Sequence, residues 1–397
     1  MNPLIKKHYL EIKTALRKHK LVDFFCLGKY GFSPFRACQH ACKYCDGRAE
    51  KYYVEGDFEQ DIVIRSNLPE LLEIELKKLR EPGFIAIGSG VSDPYQPAEK
   101  DEQIMRRCAR ILAEHDFPVV VMTKSALPLR DIEIWQEVHQ KNGFILAVSL
   151  TLLDDKVRQI FEPNASSVSA RLELLAAFKE RGMYVGVLAM PFIPYITDDL
   201  DSINRLFEKL RSLDVDYIMA AGLTLRPGQQ KELFLQVIAE HFPDCLAQIK
   251  NLYREERASG NCSYAYRQNL FPKVQHLLNE LGIPSEIPHS IYKNKIPTYD
   301  EIHILLNQMK NLYAIKGIDV KRLNQSLNKY SEWLFAEKTY FNRRQKLSYH
   351  YLEDKLTHLL TSGEMADIIK NSKLADFIKR IVLEGRTFDH LSLKIND

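Results

Sequence analysis

Between residues 22 and 223 short apolar runs rich in β-branched and aromatic residues alternate with longer amphipathic stretches, and no other feature restricts the fold as strongly. The runs are VDFFCLGK (22–29), FIAIGSG (84–90), PVVVMTK (118–124), FILAVSL (144–150), MYVGVLAM (183–190) and YIMAAGL (217–223). Between them, segments 68–80, 102–115, 129–142, 166–182 and 199–213 carry apolar residues at i, i+3, i+4 and i+7, the stripe of a helix lying on a sheet. Repeated strand-then-helix order predicts a parallel sheet of six βα units. Such units curl into a partial (β/α)6 TIM-like barrel or spread into an open doubly wound sheet, and periodicity does not choose between them. In both, chemistry belongs at the C-terminal ends of the strands.

Beyond residue 231 the alternation stops, and five helical patterns separated by polar breaks predict a helical C-terminal domain. The expected division is an N-terminal helical extension (1–21), an α/β domain (22–230) and the helical domain (231–397), which suits a chain of 397 residues. Lys and Arg number 55 against 52 Asp and Glu, so no global field implies a nucleic-acid or membrane partner. The first 20 residues have no apolar core of signal-peptide length, and no later run approaches the roughly 20 apolar residues of a membrane span. The expectation is a cytoplasmic protein with no membrane partner.

Three of the seven cysteines fall within eight residues, as Cys38, Cys42 and Cys45 in a C-x3-C-x2-C run after the first strand. Three thiolates so close can hold an iron–sulfur cluster with one iron left open. They also fit a zinc site completed by His40.

The spacing, with an aromatic residue before the last cysteine, resembles the signature of the radical S-adenosylmethionine (SAM) superfamily. FSPFRACQHACKYCDGR (32–48), SDPYQPAEK (92–100), TKS (123–125), AVSL (147–150), IFEPNASSVSARLELL (160–175) and AMPFIP (189–194) are similar, in order, to its spore photoproduct lyase-like branch. The resemblance covers about residues 22–255 and implies the partial barrel. It also implies a 4Fe-4S cluster on Cys38, Cys42 and Cys45, bound SAM, a flavodoxin- or ferredoxin-type electron donor, and reductive cleavage of SAM to a 5′-deoxyadenosyl radical that abstracts hydrogen from a substrate the sequence does not name.

By the same resemblance Tyr44 lies against the adenine, Ser89 and Ser92 meet the methionine ammonium, Lys124 pairs with the methionine carboxylate and Ser149 bonds the ribose or amino-acid portion. Glu162 and Arg171 are assigned to cofactor or helix positioning, with a structural ion pair as the alternative. Asp93 reads as a turn residue before Pro94, and Arg226 faces either pocket or solvent. Catalytic residues acting on the substrate are not assigned. Spore photoproduct lyases carry a hydrogen-donating cysteine at the end of the second strand, whereas GFIAIGSGVSDP (83–94) has no thiol. Cys26, on the first strand, and Cys108, on the second helix, read as small buried residues. A nucleic-acid substrate rests on the family alone, because the basic, aromatic stretch 339–351 reads first as an amphipathic helix. The rival readings are a DNA repair lyase with a differently placed hydrogen donor and a non-catalytic iron–sulfur or zinc module that braces a loop or senses redox state.

Overall fold

The computed structural model describes residues 5–88, 90–344 and 346–396. Ten strands precede residue 223: β1 (Lys6–Leu10), β2 (Arg17–Lys18), β3 (Gly28–Phe32), β4 (Phe35–Arg36), β5 (Asp61–Arg65), β6 (Phe84–Ile87), β7 (Val119–Thr123), β8 (Phe144–Ser149), β9 (Tyr184–Phe192) and β10 (Tyr217–Gly222). The main sheet runs β10-β9-β8-β7-β6-β3-β2. Its six strands from β3 to β10 are parallel, and β2 closes one edge antiparallel to β3. Helices Leu68–Leu76, Ile104–Ala113, Ile132–Lys141, Val168–Glu180 and Leu200–Ser212 form the crossovers, each within a few residues of its expected place. A small sheet, β1-β5-β4, stands beside β3.

Two expectations fail. Residues 6–10 and 17–18 are strands where the sequence suggested a helical extension over 1–21, because β1 is recruited by parallel pairing with β5 and β2 by β3. Tertiary pairing overrides the weak local helical signal there. The first strand of the parallel sheet is Gly28–Phe32 rather than 22–29, so Cys26 precedes it. Its glycines conceal it. A Cβ on Gly28 would stand 3.0 Å from Ala86 Cβ and one on Gly31 2.9 Å from Ala86 O, so the close approach of β6 selects glycine where propensity argues against a strand.

Strands β6 to β10 each serve two cores. On β8, Phe144, Leu146 and Val148 face the crossover helices, while Ile145 and Ala147 face the inner side with Phe84, Val120, Tyr217 and Met219. Period-two alternation in a parallel strand buried on both faces produces this division. The lower half of the inner face is filled by Ile287, Ile291, Tyr292 and Ile296, from the segment in which Pro284, Pro288 and Pro297 break the helical pattern, and by Ile304 of the helix that follows. Helices Gln229–His241, Pro243–Leu252 and Tyr264–Glu280 follow β10, and Leu270, Val274 and Leu278 of the last belong to the sheet's own core. A separate core begins at Tyr299, built by helices Thr298–Ile315, Lys321–Arg343, His350–Ser362, Glu364–Ile369 and Ser372–Leu383 and finished by the hairpin Thr387–Asp389 with Lys394–Asn396. Among the described residues no helix is long and apolar enough to cross a membrane.

Candidate active site

Above the filled lower half, the C-terminal strand ends enclose a cavity of about 390 Å3. The loop following β4 brings Cys38, Cys42 and Cys45 to it. The ends of β7 and β8 bring Met122, Thr123, Lys124 and Ser149, and those of β9 and β10 bring Leu188, Met190, Pro191 and residues 221–224. Polar groups gather on the β3–β8 side, apolar ones on the β9–β10 side together with Phe25. Arg48 braces the cysteine loop, its Nε donating to Cys42 O at 2.8 Å. So does Lys43 N, which donates to Phe161 O at 2.8 Å.

Asp93 pins the same loop to the strands. Its carboxylate accepts from Thr123 Oγ1 at 2.7 Å, Tyr95 N at 2.8 Å and Lys124 N at 2.9 Å, and stands 3.4 Å from His40 Nε2. Burial alone would push this carboxyl up, but the His40 ring and these donors hold it below its ordinary range. Nearby, Ser92 Oγ donates to Ala37 O at 2.9 Å, and Gln39 N donates to Gln96 Oε1 at 2.8 Å.

A buried charge network backs the other wall. Glu162 accepts from Tyr44 OH and from Arg171 Nη2, and Lys124 Nζ lies 3.3 Å from the same carboxylate and 3.0 Å from Tyr44 OH. Arg171 also donates to Ser149 O at 2.8 Å and Ser166 O at 2.9 Å. Burial disfavours the Glu162 anion, but the Lys124 and Arg171 cations outweigh it and hold the carboxyl far below its usual range. Lys124 is shifted upward: burial opposes its charge, and Cys42, Glu162 and Tyr44 more than offset that. Two cations share one carboxylate. The surplus positive charge faces the cavity through Lys124.

All seven cysteines are free thiols. Burial pushes Cys38 and Cys45 up and Cys42 to about 12, which favours the thiol form at all three. Among the described residues no three His, Cys, Asp or Glu side chains converge on a point where a single metal ion would sit.

The Radical SAM superfamily model matches residues 32–226, the stretch that carries every wall of this cavity except Phe25. The chain belongs to the radical SAM superfamily. An uncharacterized protein of Mycobacterium tuberculosis is 29% identical over 234 residues, 57% of this chain and 67% of that protein. Another, of Methanocaldococcus jannaschii, is 30% identical over 199 residues, 50% of this chain and 72% of that one. Among solved structures, spore photoproduct lyase complexed with dinucleoside spore photoproduct superposes with a TM-score of 0.51 at 14% identity, covering 69% of this chain and 79% of that one. That likeness is one of fold.

Of the residues picked out for this radical SAM chain, Cys38, Cys42, Cys45, Tyr44, Ser92, Lys124 and Ser149 line one cavity. Glu162 and Arg171 stand behind its wall as an ion pair, and Ser89 lies outside the described residues. Arg226 does not line the cavity but donates from Nε at 2.8 Å to Asp46, which does. Asp93, read from sequence as a turn residue, organises the loop. Its D-P dipeptide signalled the turn but not the partners, which come from β7 and from the cysteine loop. His40, weighed from sequence as a zinc ligand, also lines the cavity, as do Met122, Leu188, Met190 and Thr224, which carried no such signal.

Proposed function

We propose that this chain binds a 4Fe-4S cluster through Cys38, Cys42 and Cys45, binds SAM beside it, and uses one-electron cleavage of SAM to abstract hydrogen from a substrate held in the same cavity. The observation that carries the reading is the convergence of three free thiols with a surplus cation on one cavity at the strand C-terminal ends. The donor set fits the group. Thiolates are the ligands of iron–sulfur clusters, and three of them leave one iron open. A lone zinc ion instead needs donors gathered within about 2.0–2.3 Å of one point. The resemblance to the superfamily supports reading the sheet as a partial barrel and a flavodoxin- or ferredoxin-type protein as electron donor; free thiols throughout suit a reducing cytoplasm.

When bound, the cluster and SAM together supply a 5′-deoxyadenosyl radical. The protein's part is binding and orientation. Lys124 presents its ammonium to the methionine carboxylate, and Glu162 with Arg171 fixes the direction from which it does so. Ser92 and Ser149 offer oxygens to the ammonium and ribose. Tyr44, its hydroxyl tethered to Glu162, presents its ring at the cavity wall to the adenine. Phe25, Met122, Leu188, Met190 and Pro191 line the remaining space, which keeps water and quenchers from the reacting carbon.

A DNA repair lyase is the narrower reading that the fold likeness suggests. The cysteines among the residues lining the cavity are the three of the loop, so the site offers no further thiol as hydrogen donor. The test is anaerobic reconstitution with iron and sulfide, then dithionite and SAM, with 5′-deoxyadenosine quantified by chromatography. Cys42→Ala is expected to lose cluster absorbance and product together. A fully loaded wild-type protein that forms no 5′-deoxyadenosine, even with candidate substrates, overturns the catalytic reading in favour of a structural or sensing cluster.

A further inference from the structure

A second cleft, of about 700 Å3, lies between the edge of the main sheet and the small sheet. Lys13, Arg17, Arg36 and Arg65 line it, and no lining residue is acidic. Arg17 comes from β2, Arg36 from the exposed side of β4 and Arg65 from the end of β5, so three separate strands bring guanidinium groups to one place. None of the three is paired with a carboxylate among the described residues. Arg65 Nη1 donates to Ser33 O at 2.9 Å, and Arg17 Nε donates to His19 Nε2 at 3.1 Å. The nearby carboxylates are committed elsewhere. Glu75 accepts from the backbone amides of Ala15 and Leu16, and Asp46 from Tyr52 OH and Arg226.

Burial and then the charges of Arg36 and Arg17 lower the Arg65 pKa, as expected of cations gathered without a counter-ion. Like charges held together in a concave site cost stability unless an anion completes them. Gly31 carries no side chain at the floor, and a Cβ there would lie 3.5 Å from Arg17 Nη2.

We propose that this cleft binds the phosphate groups of a phosphate-ester ligand. Planar guanidinium forks match phosphate oxygens two at a time, which suits three arginines converging from different strands better than it suits a single carboxylate. The cleft flanks the cysteine loop: Arg36 is two residues before Cys38, and Val91 in the cleft wall lies between Gly90 and Ser92 of the cavity. This site stands independently of the radical chemistry, and its test reads binding alone.

Phosphate esters reach such a site within a nucleic-acid strand or as a free nucleotide, and the experiment separates the two. The full-length reconstituted protein is titrated against a fluorescein-labelled single-stranded oligonucleotide of about 15 nucleotides, with AMP and pyrophosphate as competitors. With about three phosphates contacted, log K is expected to fall against log salt with a slope near −2. The double variant Arg17→Ala/Arg36→Ala, at two exposed positions, should weaken binding at least about tenfold and flatten the slope to about −0.7. Lys321→Ala/Arg322→Ala, an equal loss of charge at two exposed positions opening helix Lys321–Arg343, should leave both unchanged. Arginine-sensitive binding of the oligonucleotide alone supports a strand as the source, and equal competition by AMP supports a free nucleotide. Absence of binding by all three probes, or equal weakening by the control pair, overturns the proposal.

Discussion

Two of the buried charge networks among the described residues differ in balance. Behind the cavity, Lys124 and Arg171 share the single carboxylate of Glu162. Between the first parallel strand and the C-terminal helices, Lys29 and Lys338 meet Glu81 and Asp300, two cations against two anions. In the second network Lys338 Nζ lies 2.9 Å from Glu81 and 2.8 Å from Asp300, Lys29 Nζ is 3.2 Å from Glu81, and Tyr299 OH donates to Glu81 at 3.1 Å. Both are desolvated and both shift pKa values, so neither burial nor titration identifies a site. Charge balance and an adjoining cavity do. The neutral network balances its charges, although Asp300 Oδ1 has no hydrogen-bond partner, and ties helices Thr298–Ile315 and Lys321–Arg343 to the sheet, whereas the one with surplus charge borders the cavity.

The largest expected effect breaks the balanced network. Lys338→Met leaves two buried carboxylates facing Lys29 alone, and removal of one partner from a buried ion pair costs about 3–5 kcal/mol. Denaturant unfolding should show a loss of that size, while 5′-deoxyadenosine yield per cluster stays at the wild-type value below the melting transition. A loss under about 1 kcal/mol would mean that the contacts contribute no more than surface pairs. Lys124→Met is the mirror experiment. Glu162 keeps Arg171 and Tyr44, so stability should change by only about 1 kcal/mol. A charge-assisted bond to SAM worth about 1.5–3 kcal/mol is lost, raising the KM for SAM by about 10- to 100-fold. An unchanged KM would remove Lys124 from the cofactor site.

The same contrast explains what was legible in the sequence. Strands buried on both faces announce themselves as apolar runs, so five of the six parallel strands stand where the runs are. The exception, Gly28–Phe32, was selected for close approach by β6, a requirement imposed from outside the segment. Cys38, Cys42 and Cys45 were visible because ligands on one loop have a spacing. The contact of Asp93 with Thr123 and His40 and the arginine cleft were not, because their groups meet only when β2, β4, β5 and β7 are assembled, and no local period encodes that meeting. Glu162 and Arg171 were found only through their resemblance to a family pattern, and their action through Lys124 and Tyr44 needed the fold.

Glu286 offers a third state of balance, a half-buried carboxyl whose polar partner, Asn311 Nδ2 at 3.1 Å, is neutral. Burial raises it from 4.5 to about 7, only partly offset by the Asn311 bond. The sign follows from proton uptake. Below pH 4.5 the group is neutral folded or unfolded; between 4.5 and 7 the folded chain holds the extra proton, so its stability falls as pH rises through that window and is flat above it. Glu286→Gln keeps an oxygen for Asn311 and removes the titration. Its melting temperature should match wild type near pH 4 and exceed it by about 1–3 °C near pH 8, with the difference opening across the window. A difference that stays constant with pH would show that Glu286 escapes its desolvation by turning to water, and that an unbalanced charge in this protein is tolerated where solvent, rather than a ligand, completes it.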